Sequence, residues 1–168
     1  MLELILGGAR SGKSLLAEAR AKEGGLPVTY VATGQALDAE MAARIAHHRQ
    51  RRPAEWRTLE VPLHLATALA AEAAAGRCLI VDCLTLWLSN LLLAGGEREE
   101  VAALLDVLPR LPGRIILVSN EVGWGVVPAN DLARRFTDEQ GRLNQRIAAL
   151  CGRVTLTAAG LPLELKPV

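Results

Sequence analysis

The sequence predicts an α/β fold with a mostly parallel sheet. Short apolar runs of about five residues alternate with longer Ala/Leu-rich segments of helical periodicity, a pattern typical of βα units. A glycine-rich segment follows the first apolar run directly and precedes the first helical segment. The 168 residues, 51% of them hydrophobic, fit one domain spanning residues 1–168, because no repeat, low-complexity tail or long linker divides them.

The elements follow from these periodicities. Apolar runs predict strands at Leu2–Leu6, Val28–Ala32, Cys78–Val81, Arg114–Ser119 and Val154–Thr157, with Thr58–Val61 and Leu161–Leu165 as further candidates. Helical periodicity predicts helices at Lys13–Lys22, Asp38–Arg51, Leu63–Ala75, Leu84–Ala94, Glu97–Leu108 and Asp131–Leu150. Glycine and proline predict loops at Gly95–Gly96 and Pro109–Gly113.

Charge and aromatic content argue against a nucleic-acid partner. The 19 Lys and Arg residues against 18 Asp and Glu give a net charge of +1, which is too small for a protein that coats nucleic acid through its overall field. Three Trp, one Tyr and one Phe are too few for a base-stacking surface. Any basic site is therefore expected to be local.

Cysteine usage and hydropathy indicate the compartment. Cys78, Cys83 and Cys151 form no CxxC pair and leave one residue over in any disulfide scheme, which suits a reducing environment. The first residues carry no basic leader or cleavage site, and no apolar run reaches the roughly 18 residues of a membrane span. We expect a cytoplasmic protein with no membrane span.

The strongest motif lies near the start of the chain and fits GxxxxGK[ST] in full. It follows a predicted strand and opens a predicted helix, as the phosphate-binding loop of nucleotide-binding proteins does. Glycines let successive backbone N–H groups point at phosphate oxygens, a lysine reaches the β- and γ-phosphates, and a serine hydroxyl can hold Mg²⁺. The motif comprises Gly7, Gly8, Ala9, Arg10, Ser11, Gly12, Lys13 and Ser14, and it predicts binding of a nucleoside triphosphate.

A carboxylate at the end of a neighbouring strand is needed for the magnesium shell of such a site. Asp82, which closes the run from Cys78 to Val81, is the candidate, together with Ser14. An alternative role for Asp82 is the N-cap of the helix that begins near Leu84, and this role is compatible with the first.

The predicted helix from Asp38 to Arg51 begins with acids and ends with cations, as suits the helix dipole. Arg44, His48 and Arg52 are spaced four apart, so they form one row, whereas His47 lies about 100° around the helix. Neighbouring guanidinium groups disfavour the imidazolium ion and are expected to lower the pKa of the histidine.

A neutral imidazole in that row can attack phosphorus and form a phosphoramidate. Two alternatives remain open from spacing alone, a structural histidine and a simple phosphate contact. Two adjacent histidines without cysteines or paired carboxylates make a poor metal site.

With these segments in hand, the chain resembles the bifunctional adenosylcobinamide kinase/adenosylcobinamide-phosphate guanylyltransferase family of cobalamin synthesis. The resemblance runs in the family's order from Gly7 to about Arg146. Beyond the phosphate loop, the matching stretches are Tyr30–Thr33, Asp38–Ile45 with His47-His48, Arg52–Trp56, Asn120–Gly123 with Gly125 and Pro128, and Gly141–Gln145.

This resemblance implies a RecA-like phosphate-loop fold, a homotrimer and two reactions. ATP or GTP phosphorylates adenosylcobinamide, and GTP then guanylylates a histidine that passes GMP to the phosphorylated substrate. By similarity the nucleophile lies in the His47-His48 pair. We choose His48, because it keeps the register from Arg44 to Arg52 and the family's spacing, with His47 as the alternative. Further nucleotide contacts are implied at Thr33, Gly34, Gln35, Arg49, Gln50, Arg51, Arg52 and, on the guanine edge, Glu60. Asp82 is a departure from the resemblance, which implies a longer acid at this position.

Two other functions are compatible with the phosphate loop. One is a small-molecule kinase that works in a single step, with the histidine helix gathering substrate phosphates. The other is a GTP-binding switch that acts through protein partners. The switch is disfavoured because Asn120-Glu121-Val122-Gly123, the stretch nearest to an Asn-Lys-x-Asp guanine motif, lacks the lysine and the final acid.

Overall fold

A computed structural model describes residues 1–36, 38–50 and 52–167, without the side chains of Arg44, His47 and His48. The strands are β1 (Leu2–Gly7), β2 (Val28–Ala32), β3 (Arg57–Glu60), β4 (Cys78–Asp82), β5 (Arg114–Asn120), β6 (Arg153–Ala158) and β7 (Leu161–Lys166). The helices are α1 (Lys13–Glu23), α2 (Ala39–Gln50), α3 (Leu65–Glu72), α4 (Leu84–Ala94), α5 (Glu97–Val107) and α6 (Asp131–Leu150).

The strands form one sheet in the order β3-β2-β4-β5-β1-β6-β7. Every pairing is parallel except that of β6 with β7, which are joined by a tight turn. The predicted mostly parallel α/β sheet is confirmed. One strand, β5, separates the strand before the phosphate loop from the strand that ends in Asp82, so the carboxyl ends of β1, β5 and β4 lie side by side.

Alternation along the strands builds a core on each face of the sheet. Leu4 and Leu6 of β1 belong to the larger core, which also contains residues of α3, α4, α5 and α6. Ile5, between them, belongs to the second core, where it packs with Ala17 and Ala21 of α1. The result is three layers, with α1 on one face of the sheet and α3 to α6 on the other.

The observed elements differ from the predicted ones mainly at their ends. Helix α3 is shorter than predicted, because the chain leaves helical geometry at Ala73, whose φ of −68° and ψ of 131° are extended. Pro109 lies in a short 3₁₀ turn, Leu108–Arg110, rather than in a loop. The alternative N-cap role of Asp82 is wrong, since Cys83 occupies the N-cap of α4 and Asp82 ends β4.

A buried ion network ties the amino ends of β1, β5 and β6 to α1. Glu3 is fully buried and pairs with Arg20 of α1 and with Arg114 at 3.3 Å. Arg20 also pairs with Glu164 of β7 at 2.5 Å, and Arg153 meets the same carboxylate at 3.0 Å. The network lies at the edge of the sheet opposite the phosphate loop and holds the β6–β7 hairpin against α1.

Within the described ranges, the structure contains no helix that is both long and apolar enough to cross a lipid bilayer.

Candidate nucleotide site at the carboxyl edge of the sheet

The phosphate loop is a close-packed turn between β1 and α1. A Cβ added at Gly7 would collide with the Ser11 side chain and lie 2.5 Å from the carbonyl oxygen of Thr157 on β6. Gly12 has a φ of 97°, in the left-handed region that favours glycine, and it is the N-cap of α1. These two glycines are therefore required by the loop's own geometry, before any ligand is considered.

The turn of the β6–β7 hairpin packs against the phosphate loop. The backbone N–H of Gly160 donates to the carbonyl of Ser11 at 2.9 Å, and the Gly160 Cα would lie 3.2 Å from a Cβ at Gly12. Sequence reasoning missed Gly160, because its contact depends on β6 pairing beside β1. The hairpin is thus part of the site's framework.

Lys13 and Ser14 are the first residues of α1. Lys13 is 9% exposed, and its ammonium group donates to the carbonyl of Gly8 at 2.9 Å. Burial lowers the pKa of Lys13, and nearby Cys83 and Asp82 oppose that shift. An ammonium group held by the backbone of the phosphate loop at a helix N-terminus suits the terminal phosphates of a nucleotide.

Asp82 ends β4 and is held by Tyr30 of the neighbouring strand. The Tyr30 hydroxyl donates to Asp82 Oδ2 at 2.6 Å, and the Arg52 guanidinium carbon lies 3.4 Å from the centroid of the Tyr30 ring. Tyr30 is almost fully buried, and burial, with the adjacent Asp82 charge, strongly raises its pKa. Tyr30 therefore stays protonated and connects the candidate metal carboxylate to the chain that follows α2.

The donor set fits Mg²⁺ of a nucleotide site. Mg²⁺ usually binds through one or two carboxylates together with substrate phosphates and water. Among the described residues, no group of three His, Cys, Asp or Glu could hold a metal by itself. Asp82 is close enough to Lys13 to raise its pKa, and Ser14 lies in the first turn of the helix that follows the loop, so an ion here would depend on the bound triphosphate.

Thr33 acts as a framework residue after β2. It is fully buried, its hydroxyl donates to the carbonyl of Cys83 at 2.7 Å, and it accepts from the Cys83 N–H at 2.9 Å. Asn90 donates to the Thr33 carbonyl at 2.8 Å. The adjacent Gly34 packs beside Leu86, and Gln35 is exposed. Of the three residues predicted here as nucleotide contacts, Gln35 alone presents an exposed side chain.

Helix α2 carries the histidine pair. Asp38 caps its start by accepting from the backbone N–H of Met41 at 2.7 Å, as the acidic N-terminus predicted. A Cβ at Gly34 would lie 3.6 Å from Ile45 of this helix, so α2 packs against the end of β2. His47 and His48 are helical, but their side chains lie outside the described part of the chain, as does the whole of Arg51.

A basic pocket lies between the end of α2 and β3. Its volume is about 330 Å³, and its lining includes Arg49, Arg52, Trp56 and Thr58. The Nε of Arg52 is buried without a partner among the described residues. Glu60 ends β3, is exposed, and has an oxygen 3.8 Å from Arg49. Four strand spacings, about 19 Å, separate Glu60 from the end of β1.

The segment after β5 lies beside the phosphate loop. Gly7 is paired with Asn120 in the parallel register, and the backbone N–H of Glu121 donates to the Gly7 carbonyl at 3.1 Å. The loop that follows exposes Trp124 (77%), Val126 (96%) and Val127 (74%). The structure thus brings the Asn-Glu-Val-Gly segment to the edge where Lys13 and Asp82 lie.

Comparison with known proteins shows the family of the chain. Residues 3–165 match the family described as cobinamide kinase / cobinamide phosphate guanyltransferase. The chain belongs to this family. Bifunctional adenosylcobalamin biosynthesis protein CobP of Pseudomonas aeruginosa is 64% identical over 99% of this chain and 98% of its own. The corresponding CobU protein of Salmonella typhimurium is 44% identical over 99% of this chain and all of its own.

Solved structures share the fold at low sequence identity. The crystal structure of the flagellar accessory protein FlaH from Methanocaldococcus jannaschii superposes with a TM-score of 0.56 at 16% identity, covering 99% of this chain and 78% of that one. The predicted phosphate-loop fold and the predicted enzyme class are both confirmed. None of the relatives favours a single-step kinase or a GTP-binding switch.

Proposed function

We propose that this chain performs two reactions in sequence, phosphorylation of adenosylcobinamide and transfer of GMP from GTP to the product, giving adenosylcobinamide-GDP. The observation that carries the proposal is the family match over residues 3–165 in a chain whose phosphate loop leads into α1 through Gly12. Both reactions need a triphosphate held by backbone N–H groups, and they differ in which phosphorus atom is attacked.

In the kinase step, a substrate hydroxyl oxygen attacks the γ-phosphorus of ATP or GTP. The bond from that phosphorus to the β–γ bridging oxygen breaks, the nucleoside diphosphate leaves, and the hydroxyl proton is released. Lys13 and the N-terminal N–H groups of α1 stabilise the charge on the phosphoryl oxygens. The step relies on positioning rather than on covalent chemistry by the protein.

In the transfer step, a neutral imidazole nitrogen of His48 attacks the α-phosphorus of GTP. Pyrophosphate leaves and a phosphorus–nitrogen bond forms. A phosphate oxygen of the phosphorylated substrate then attacks that phosphorus and releases the imidazole. Arg49 and Arg52 follow the histidine pair in the chain, and their charge favours anions at the end of α2. Gln50 and Arg51 complete the proposed nucleotide contacts of this segment.

Ser14 and Asp82 are the proposed Mg²⁺ ligands. When bound, Mg²⁺ would neutralise charge on the phosphate oxygens. Tyr30 orients the carboxylate of Asp82 for this role through its 2.6 Å hydrogen bond. Glu60 is proposed to accept from the guanine edge, because it is an exposed carboxylate at the same edge of the sheet.

The corrinoid is proposed to contact the exposed loop around Trp124, Val126 and Val127. This loop continues from a backbone bonded to Gly7, so a bulky apolar ring resting there leaves its side arm within reach of the γ-phosphate. A homotrimer is proposed from the resemblance. Leu161, Leu163 and Leu165 are exposed along the edge strand β7, a surface suited to contact between subunits.

Labelled GTP tests the covalent step. Incubation with α-³²P-labelled GTP, followed by denaturation, is expected to leave acid-labile, alkali-stable label on the wild type and on His47→Ala, and none on His48→Ala. Label on His48→Ala with none on His47→Ala would move the nucleophile to His47. If the wild type stays unlabelled but still phosphorylates adenosylcobinamide, the protein is a single-step kinase and the transfer step is refuted. Thermal melting of both variants serves as the folding control.

A further inference from the structure

The carboxyl end of β5 holds an amide group that the mechanism above does not use. In the sheet order β4-β5-β1, this strand lies between Asp82 and the phosphate loop. Its last residue, Asn120, is paired with Gly7, and Val118 is paired with Asp82. Asn120 therefore ends its strand between the candidate metal carboxylate and the phosphate cradle.

Alternation along β5 decides the face on which the Asn120 side chain lies. Val118 belongs to the core formed with α1, and Ser119 faces the other layer, where it donates to Asn144 of α6 at 2.7 Å. Asn120, two residues after Val118, returns to the α1 face. Ile80 of the same core places Asp82 on that face by the same rule, and Lys13 opens α1 there.

The backbone of Asn120 is held from both sides. Its N–H donates to the hydroxyl of Thr85 on α4 at 2.7 Å, and its carbonyl accepts from Asn144 at 3.0 Å. Gln140 braces this arrangement by donating to Ser119 at 2.9 Å and to Asn144 at 3.0 Å. Four polar side chains from three elements thus hold the position of one residue.

The side-chain oxygen of Asn120 lacks a partner. Its Oδ1 is buried and has no hydrogen-bond partner among the described residues. Leaving a buried acceptor unpaired costs about 1 to 3 kcal/mol, so this one needs an explanation, and its place between Asp82 and the phosphate loop makes a bound substrate the one we adopt. Phosphate oxygens accept only, whereas the hydroxyl of an acceptor substrate donates. An unpaired acceptor therefore points to the hydroxyl.

We propose that Asn120 bridges the two reacting groups of the kinase step, accepting from the attacking hydroxyl at Oδ1 and donating from Nδ2 to a γ-phosphoryl oxygen. This inference rests on the proposed kinase function and adds a catalytic contact to it. The amide holds the hydroxyl oxygen in line with the γ-phosphorus as the P–O bond forms and the bond to the β–γ bridging oxygen breaks. The hydroxyl proton leaves to solvent, because an amide oxygen is too weak a base to take it. In the transfer step the histidine nitrogen attacks the α-phosphorus instead, so that step does not use the contact with Asn120.

Separate assays of the two half-reactions test the bridge. Asn120→Ala is expected to lower kcat of adenosylcobinamide phosphorylation by about 10²-fold, as loss of one well-placed donor does, and to leave the KM for ATP within about 3-fold. Labelling by α-³²P GTP without corrinoid is expected to stay within about 3-fold of wild type. Asn120→Asp, which keeps the shape but places negative charge against the phosphate, is expected to lose kinase activity at least as severely.

Asn130→Ala is the matched control. Asn130 caps α6 by accepting from the backbone N–H of Ala133 at 2.7 Å, so its loss costs about 1 kcal/mol of stability without changing a side chain at the carboxyl end of β5. Near-wild-type phosphorylation by either Asn120 variant, or an equal loss of both half-reactions in folded Asn120→Asp, would overturn the bridge. Failure of the wild type to phosphorylate adenosylcobinamide would instead overturn the proposed function.

Discussion

Two neighbouring glycines of the phosphate loop are predicted to differ sharply in their tolerance of a methyl group. At Gly7 an added Cβ overlaps the Ser11 side chain and lies 2.5 Å from the carbonyl oxygen of Thr157. That carbonyl is backbone of a central strand and cannot move aside without disturbing the pairing of β6 with β1. At Gly8 an added Cβ meets no atom of the described residues within 4 Å.

The expected loss in the free energy of unfolding follows from overpacking. Forcing a methyl group into a closed backbone site costs about 1 to 3 kcal/mol, and the Gly7 overlap with backbone places Gly7→Ala near the upper end, at about 2 to 3 kcal/mol. A change of 1 kcal/mol shifts the Tm of a domain of this size by about 2 to 4 °C. Gly7→Ala is therefore expected to lower Tm by about 4 to 12 °C, and Gly8→Ala by less than about 2 °C.

Thermal unfolding of the two variants in parallel, without nucleotide, measures the difference. Fluorescent nucleotide binding is expected to be lost in Gly7→Ala, because the loop must open to accept the methyl group. Equal Tm values for the two variants, or a larger loss in Gly8→Ala, would refute the loop geometry described above. A small gain in Tm for Gly8→Ala is compatible with the reasoning, since alanine restricts the unfolded chain.

Three further outcomes are expected. Tyr30→Phe removes the donor to Asp82 and is expected to cost about 1 to 2 kcal/mol in urea unfolding, whereas an unchanged midpoint would mean that the bond contributes nothing. Thr33→Val leaves buried backbone groups unpaired and is expected to cost about 2 to 4 kcal/mol; a change confined to nucleotide KM would make Thr33 a ligand contact instead. Arg153 holds the pKa of Glu164 down, at about 2, so the stability it confers is present above pH about 4.5 and is lost as pH falls towards 2. Glu164→Gln is expected to reduce this loss of stability at acid pH. An unchanged dependence of stability on pH would contradict the assignment.

Local sequence patterns predict much of the fold. Helices α4 and α6 and strand β2 begin and end where periodicity placed them, because their apolar spacing and the residues that bound them are encoded within the segment itself. The phosphate loop was accessible for the same reason, since its glycines, lysine and serine are contiguous. The end of α3 was misplaced because an Ala-rich stretch continues the helical pattern past the point where the backbone turns.

Local sequence patterns do not predict other parts of the site. Gly160 supports the loop from a distant hairpin, Tyr30 holds Asp82 from an adjacent strand, and Asn120 becomes a neighbour of Gly7 through strand pairing. Thr33, whose predicted nucleotide contact stays a prediction, bonds the backbone of Cys83 through its hydroxyl. No local spacing signals these contacts, because each joins residues that are far apart along the chain.

The sequence by itself determined the α/β class, the phosphate loop and the family, since each depends on residues read in order along one stretch. Only the tertiary structure decided which strand lies between Asp82 and the loop, and therefore which amide stands between the candidate metal site and the phosphates. The physical reason is that alternating βα units specify that strands pair in parallel but leave their order in the sheet to the packing of helices on both faces.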